Sequence, residues 1–323
     1  MGLAGLGLLS LTLTPNVLAQ SAKPEAQAPE TQIPWTLEGV TVTHARKGPA
    51  MWRVEKDGQE VWILGAPTWL SNNDWDARGV EKALEGVSVV YTSPVAQVSL
   101  FSSEAVGLAA NILVLHHYNL KDGKTLEDLG GPDLWARVAA QAPHSGMTAK
   151  TLRSYRPMWA IYALLDGAET SQHLVRADEK VAAIAKRRHI KVRPVAAYAA
   201  GKVFSATSRT PDREALPCLA KTLDALEAQR KTIADATRAF ATADLRTLER
   251  TRVGAFGFVC LASVAHQGDF GDRSVADTTD DITSALARHE KAFFILGLNP
   301  LLSQDGVLAR LRAHGYRVDT PGD

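Results

Sequence analysis

Two stretches far apart in the chain carry the same short pattern, and that duplication restricts the fold more than any other feature. Trp62-Ile63-Leu64-Gly65-Ala66-Pro67-Thr68-Trp69-Leu70 is matched by Phe294-Ile295-Leu296-Gly297-Leu298-Asn299-Pro300-Leu301-Leu302. Each is aromatic-Ile-Leu-Gly followed by a leucine five residues after the glycine. Downstream, Gly79-Val80 opens Val80-Glu81-Lys82-Ala83-Leu84 ahead of a strand, and Gly306-Val307 opens Leu308-Ala309-Arg310-Leu311 ahead of Tyr316-Arg317-Val318. The pattern reads as one strand–loop–helix–strand unit used twice; the alternative is chance similarity between two buried strands. A glycine directly after a buried strand permits a tight turn, and the side chains that follow lie at the sheet edge where α/β folds place ligands.

The rest of the chain agrees with a layered α/β fold. Met51-Trp52-Arg53-Val54 and Val61-Trp62-Ile63-Leu64 flank Lys56-Asp57-Gly58, a hairpin signal with glycine in the turn. Val87 to Tyr91, Ile190-Lys191-Val192 and Ala292 to Leu296 read as further strands, and Tyr316-Arg317-Val318 as the last. Apolar periodicity near 3.6 predicts helices around 103–117, 131–141, 150–165, 176–188, 212–231, 232–241 and 280–290. Strands separated by helices imply an α/β fold, here a mixed sheet flanked by helices. The helices crowd the middle, which implies a helical insert between the two halves.

Composition narrows the function classes. The 323 residues carry 36 Lys+Arg against 35 Asp+Glu, a formal net charge of +1, which argues against a dedicated nucleic-acid binder. With 46 % apolar and 22 % charged residues, the bulk of the chain has the composition of a globular protein. Two cysteines are too few for a disulfide-built scaffold, and neither lies in a C-x-x-C pair.

The start of the sequence reads as an export signal. Gly2 to Leu13 is nearly all Gly, Ala and Leu, Thr14-Pro15 breaks any helix, and Val17-Leu18-Ala19 offers small residues where a signal peptidase acts. No Lys or Arg precedes the apolar run, and a buried N-terminal helix is the alternative. Residues 20–34 read as a Pro/Ala/Gln-rich linker and 35–323 as one domain. No apolar run reaches the ~20 residues of a membrane span. The expectation is a mature chain without a membrane span, exported to the periplasm of a Gram-negative bacterium. In an oxidising compartment Cys218 and Cys260 are expected to be bridged, the alternative being two free buried thiols.

The paired strand-Gly units resemble the TraB/GumN family, which includes the Tiki metalloproteases, from about Met51 to Val318. Met51 to Val54 and Val61 to Gly65 are similar to its opening hairpin. Asp122-Gly123-Lys124-Thr125-Leu126-Glu127-Asp128-Leu129 resembles its Gly-x-Thr-Leu-x-Asp segment, and Arg156-Pro157-Met158-Trp159 its Pro-Trp helix. Leu223 to Leu245 looks like its helical insert, Asp272-Arg273-Ser274 stands where it has Arg-Asn, and Phe294 to Val318 resembles its C-terminal unit.

The departures from that family bear most on function. The resemblance implies that both Gly-x-x units end in His and that an acid closes the strand after the first helix, together holding a divalent metal such as Zn or Mn. Here those positions are Thr68, Pro300 and Tyr91, and Arg193-Pro194-Val195-Ala196-Ala197 lacks the family's Glu. A threonine hydroxyl is a poor ligand, tyrosine would have to ionise from a pKa of about 10, and proline offers no side-chain donor. The resemblance then implies a degenerate site and no cofactor, with Gly65, Trp69, Arg273, Gly297 and Asn299 left around the old pocket together with Thr68 and Tyr91. An uncharged pocket with one arginine suits a peptide or small anionic ligand.

No other constellation stands out. The nine histidines form no His-Glu-x-x-His, and His144-Ser145-Gly146 lacks the first glycine of a nucleophile elbow. Trp62, Trp69 and Trp75 cluster near the first loop, as core or as a ligand-contacting wall; Arg187-Arg188-His189, Arg46-Lys47 and Lys56 read as solvated charge. Two further functions remain open: a metal-dependent hydrolase with relocated ligands such as Asp74, Asp76, His266 or Asp305, and an inert assembly protein. Neither substrate, partner nor oligomeric state follows from the sequence.

Overall fold

The computed structural model describes residues 48–97, 118–199, 209–251 and 269–319. The expected signal peptide, the linker, the helix at 103–117, His116-His117, His266 and Cys260 lie outside the described residues.

In the first hairpin β1 (Met51–Lys56) alternates buried with partly exposed residues, β2 (Gln59–Ala66) becomes wholly buried from Ile63 onward, and a two-residue turn joins them. Asp57 (φ 52°) and Gly58 (φ 74°) both adopt the left-handed conformation that such a turn demands. The chain then passes through α1 (Arg78–Ala83) to β3 (Val89–Thr92) and β4 (Val95–Gln97). Among the described residues the next α-helices are α2 (Leu126–Gln141), α3 (Ala149–Arg153), α4 (Pro157–Ser171) and α5 (Ala177–Arg187). Next come β5 (Lys191–Pro194), β6 (Ala197–Ala199), α6 (Asp212–Ala241), α7 (Leu245–Thr251) and α8 (Asp269–Ala287). The last unit is β7 (Ala292–Gly297), α9 (Leu298–Leu302), α10 (Val307–Ala313) and β8 (Arg317–Asp319).

The main sheet has the order β5-β3-β7-β2-β1-β8, and β4 and β6 form a small second sheet. Only β1 runs against the rest, so the sheet is mixed, as expected. β7 lies at its centre, and Ala292 to Leu296 are all buried, the continuous apolar run of a strand covered on both faces. The main core collects Trp52, Ile63, Leu64, Phe293 and Phe294 from the sheet with Val80, Leu84, Ile282, Leu286 and Leu311 from the helices. A second cluster, built by Leu126, Val138, Leu152, Ile161, Leu164, Leu219, Leu223 and Leu226, packs the inserted helices on one another. The insert is not purely helical, because it also supplies β5 to the sheet edge.

Several helix boundaries differ from the periodicity. The stretch expected as one helix at 150–165 is two, because the residue before a proline is driven out of the helical region. Arg156 is extended (φ −65°, ψ 145°) and Pro157 opens α4. Conversely, 212–231 and 232–241 are one helix, α6; no Gly or Pro stands at the expected junction, and the Thr232 hydroxyl donates to the Ala228 carbonyl across it at 3.0 Å. α8 begins well before 280 and ends at Ala287, ahead of the left-handed His289. α2 starts at a capping box in which Thr125 and Asp128 bond reciprocally, and it kinks at Gly131-Pro132. The Thr-Leu-x-Asp segment is thus a helix start.

Candidate functional site

β2, β7 and β3 are adjacent and parallel, so the ends of the two repeated strand-Gly units open on one edge of the sheet. Ala66 pairs with Gly297, which sets the loop bearing Thr68 beside the start of α9, the short helix bearing Pro300. The glycines are there for space. A Cβ on Gly65 would lie 2.7 Å from Leu298 Cδ2 and 2.7 Å from Trp52 Cζ3, and one on Gly306 2.6 Å from the Pro300 carbonyl oxygen. α9 therefore lies tight against the end of β2, with the turn before α10 folded under it.

At this edge a cavity of about 120 Å³ is lined by Ser93 and Pro94 after β3, Ser274 and Thr278 of α8, Leu296 of β7, Pro300 and Leu301 of α9, and Val307 of α10. Its polar groups are hydroxyls, and Thr278 already donates to the Ser274 carbonyl at 2.7 Å. The lining contains no imidazole and no carboxylate. The residues present do not fit a divalent metal, whose ligands would be imidazole nitrogens and carboxylate oxygens. Among the described residues no three His, Cys, Asp or Glu side chains are grouped so that they could hold an ion.

The residues singled out in the sequence do not all meet here. Pro300 lines the cavity, and Gly297 precedes it at the start of α9. Asn299 lies within α9, its carbonyl accepting from the Ser303 amide at 3.0 Å. Thr68 is exposed on the neighbouring loop, and Arg273 is exposed on α8 next to Ser274. Trp69 turns to the helical cluster, whereas Trp62 and Trp75 pack on the main core, so the three tryptophans form no common wall. Trp75 meets Phe240 edge-on at 5.5 Å, and the Lys180 ammonium stands over its ring.

Tyr91 goes elsewhere. Its ring is buried and stacked on Phe294 at 4.6 Å, and its hydroxyl donates to Glu290 at 3.1 Å while accepting from Arg193. Burial pushes its phenol up, only partly countered by Arg193. Burial alone would also raise Glu290, but hydrogen bonds from Arg288 and Tyr91 outweigh it and hold the carboxyl low. The Tyr91 partners Arg193 and Glu290 line a second, open cavity of about 480 Å³ together with Pro194, Val195, Asp281 and Arg288. Asp281 is pushed up by burial, which the two arginines only partly offset.

Of the residues named as relocated ligands, His266 lies outside the described residues. Asp76 is held by Arg78 at 2.6 Å, and Asp74 and Asp305 are exposed apart from the cavity. Of the histidines, His144, His173, His189, His289 and His314 are described and all are exposed. Ser145 is buried and donates to the Leu164 carbonyl at 2.8 Å, a structural bond and not that of a nucleophile. Ser93, Ser274 and Thr278 were missed, since isolated hydroxyls carry no spacing signal; only the sheet order shows that β3 ends beside β7.

A family model described as the TraB/PrgY/gumN family matches residues 50–320. No curated protein and no solved structure matches the chain.

Proposed function

The chain belongs to the TraB/PrgY/gumN family, and from that premise we propose that it is an exported member whose metal-hydrolase site is degenerate and which acts by binding. The observation that carries this reading is the cavity at the ends of β7 and β3, whose polar side chains are hydroxyls and whose other walls are proline, leucine and valine. With no strong donor in its lining, no bound ion acidifies a water there, and neither imidazole nor carboxylate lines the cavity to act as a base for a side chain such as Ser274. What the walls offer is a small neutral recess with hydroxyl donors and acceptors. At about 120 Å³ it is smaller than a typical small-molecule site of ~300–1,000 Å³ and suits one side chain or terminus of a larger ligand, such as a peptide.

Export to the periplasm is supported by the apolar Gly2 to Leu13 run and the Val17-Leu18-Ala19 cleavage pattern. With export goes a bridge between Cys218, buried in α6, and Cys260; closing that loop stabilises the fold by roughly 3–4 kcal/mol in the chain-entropy model. One preparation tests the whole reading. The chain recovered from the cell envelope is expected to begin at Gln20, to show no reactive thiol when denatured without reductant, and to hold no stoichiometric metal. Tightly held zinc or manganese at one per chain overturns the degenerate site. Two titratable thiols and an intact N-terminus overturn export.

A further inference from the structure

The chain is nearly neutral, yet its positive charge is not evenly spread. Lys186, Arg187, Arg188, His189, Lys191 and Arg193 fall within one short stretch that ends α5 and forms β5. All six are exposed. Arg188 reaches the Glu81 carbonyl and Arg193 lies against Tyr91 and Glu290. Among the described residues, the side chains of Lys186, Arg187, His189 and Lys191 have no ion pair or hydrogen bond, so three full cations stand uncompensated.

The strand they flank is open. β5 is the outermost strand of the six-stranded sheet and pairs with β3 alone, which leaves its other backbone edge without a strand partner among the described residues. Side chains alternate along it, so Lys191 and Arg193 share one face and Val192 takes the other. Val192 is 40 % exposed, one of two large apolar residues so placed among the described residues. On the Arg193 side the edge adjoins the open cavity that Arg288 also lines.

We propose that the open edge of β5 is a docking surface for an acidic, extended peptide segment of a partner protein, which adds to the sheet as a further strand. Backbone pairing supplies affinity in such complexes, and alternate side chains supply specificity. An acidic strand brings carboxylates to Lys186, Arg187, Lys191 and Arg193 while an apolar neighbour covers Val192. The same lysines disfavour a second copy of this chain, because two such edges repel each other. A lipid surface fits less well: among the described residues only Val95 and Val192 are large apolar side chains left exposed, and a headgroup does not pair with the Val192 amide and carbonyl that face outward, the alternate residues facing β3 and Pro194 having no N–H. The proposal is independent of the cavity at the strand ends, since no residue of that cavity lies on β5.

The test uses the purified chain and a labelled peptide of alternating Glu and Val, at about 0.15 M salt where distant surface charges are screened. Saturable binding is expected, with an affinity at least about tenfold weaker for a variant carrying Lys186→Gln, Arg187→Gln and Lys191→Gln. A copy of the peptide with alternate amides N-methylated keeps its charge but cannot pair, and is expected to bind about tenfold more weakly. Thermal melts of the surface variant should match the parent. Absence of binding, equal binding of a Lys-Val peptide, or indifference to either the triple substitution or the N-methylation overturns the proposal. Binding to phosphatidylglycerol vesicles without binding to the peptide overturns it in favour of a membrane.

Discussion

At the scale of single residues, Tyr91 shows how a position can be read correctly as unusual and still be misplaced. The sequence marks it as a tyrosine where the family frame implies an acid, and chemistry says that a phenol is a poor ligand at neutral pH. Nothing in the sequence says that the ring lies flat on Phe294 with its hydroxyl on Glu290, because that depends on β3 pairing with β7. The arrangement has a measurable consequence. Tyr91→Phe removes a donor from a carboxylate that is only 24 % exposed, and should cost about 1–2 kcal/mol at neutral pH. Glu290 is depressed in the folded chain, so its contribution is present above the ordinary carboxylate pKa and is lost as pH falls through the folded value. Denaturation of the parent and Tyr91→Phe should therefore differ most near about pH 7 and converge as pH falls below the ordinary carboxylate range. A gap that does not change with pH would refute the charge-assisted bond.

Among the elements, strands were more legible than helix boundaries, for a physical reason. Buried strands advertise themselves as short apolar runs, and 292–296 and 61–64 were bounded to within a residue or two. Helix ends depend on caps and on local exclusions, such as Pro157 forcing Arg156 out of α4 or Thr125 capping α2. How closely helices approach is written in single glycines whose meaning appears only in three dimensions. Gly167 lies in α4, and there its intrinsic propensity argues that alanine would stabilise by up to ~1 kcal/mol. The packing argues the opposite, since a Cβ would sit 2.1 Å from the Ser145 carbonyl oxygen, a backbone atom that cannot step aside. Overpacking of this kind costs about 1–3 kcal/mol or more, so the clash prevails and Gly167→Ala should destabilise by about 2 kcal/mol. Gly65→Ala meets side-chain atoms of Leu298, Trp52 and Leu301, which can shift, and should cost less. Urea melts of the two variants give the ranking; a neutral or stabilising Gly167→Ala would mean that α4 and the turn at 142–145 are not in such close contact.

For the whole molecule, the duplicated unit predicted a repeated strand–loop–helix–strand arrangement, and the structure shows how the copies are combined. They do not stand side by side. β7 of the second copy lies between β2 and β3 of the first, and β8 of the second lies outside β1 of the first. The copies are also offset by one residue across the sheet, for Trp62 pairs with Phe293 and not with its counterpart Phe294. Because side chains alternate, that offset sends the two aromatic residues to opposite faces, so sequence equivalence does not mean spatial equivalence. It also explains why the candidate site was only half legible. The loops after β2 and β7 follow from the repeat, whereas the wall contributed by Ser93, Ser274 and Thr278 follows from interleaving that no local pattern encodes. Interleaving has a consequence for folding. A fragment ending at Ala199 has β1, β2, β3 and β5 but lacks the strand that separates β2 from β3, and with it the buried Phe293 and Phe294. Burying two phenylalanines of this kind is worth roughly 3–6 kcal/mol, a large share of the ~5–15 kcal/mol that stabilises a domain. The fragment should show no cooperative thermal transition and poor dispersion of its amide resonances. Addition of the remaining chain, residues 200–323, should restore both, since the missing central strand is then supplied in trans. A fragment that melts cooperatively alone would show that the first copy is a self-sufficient folding unit.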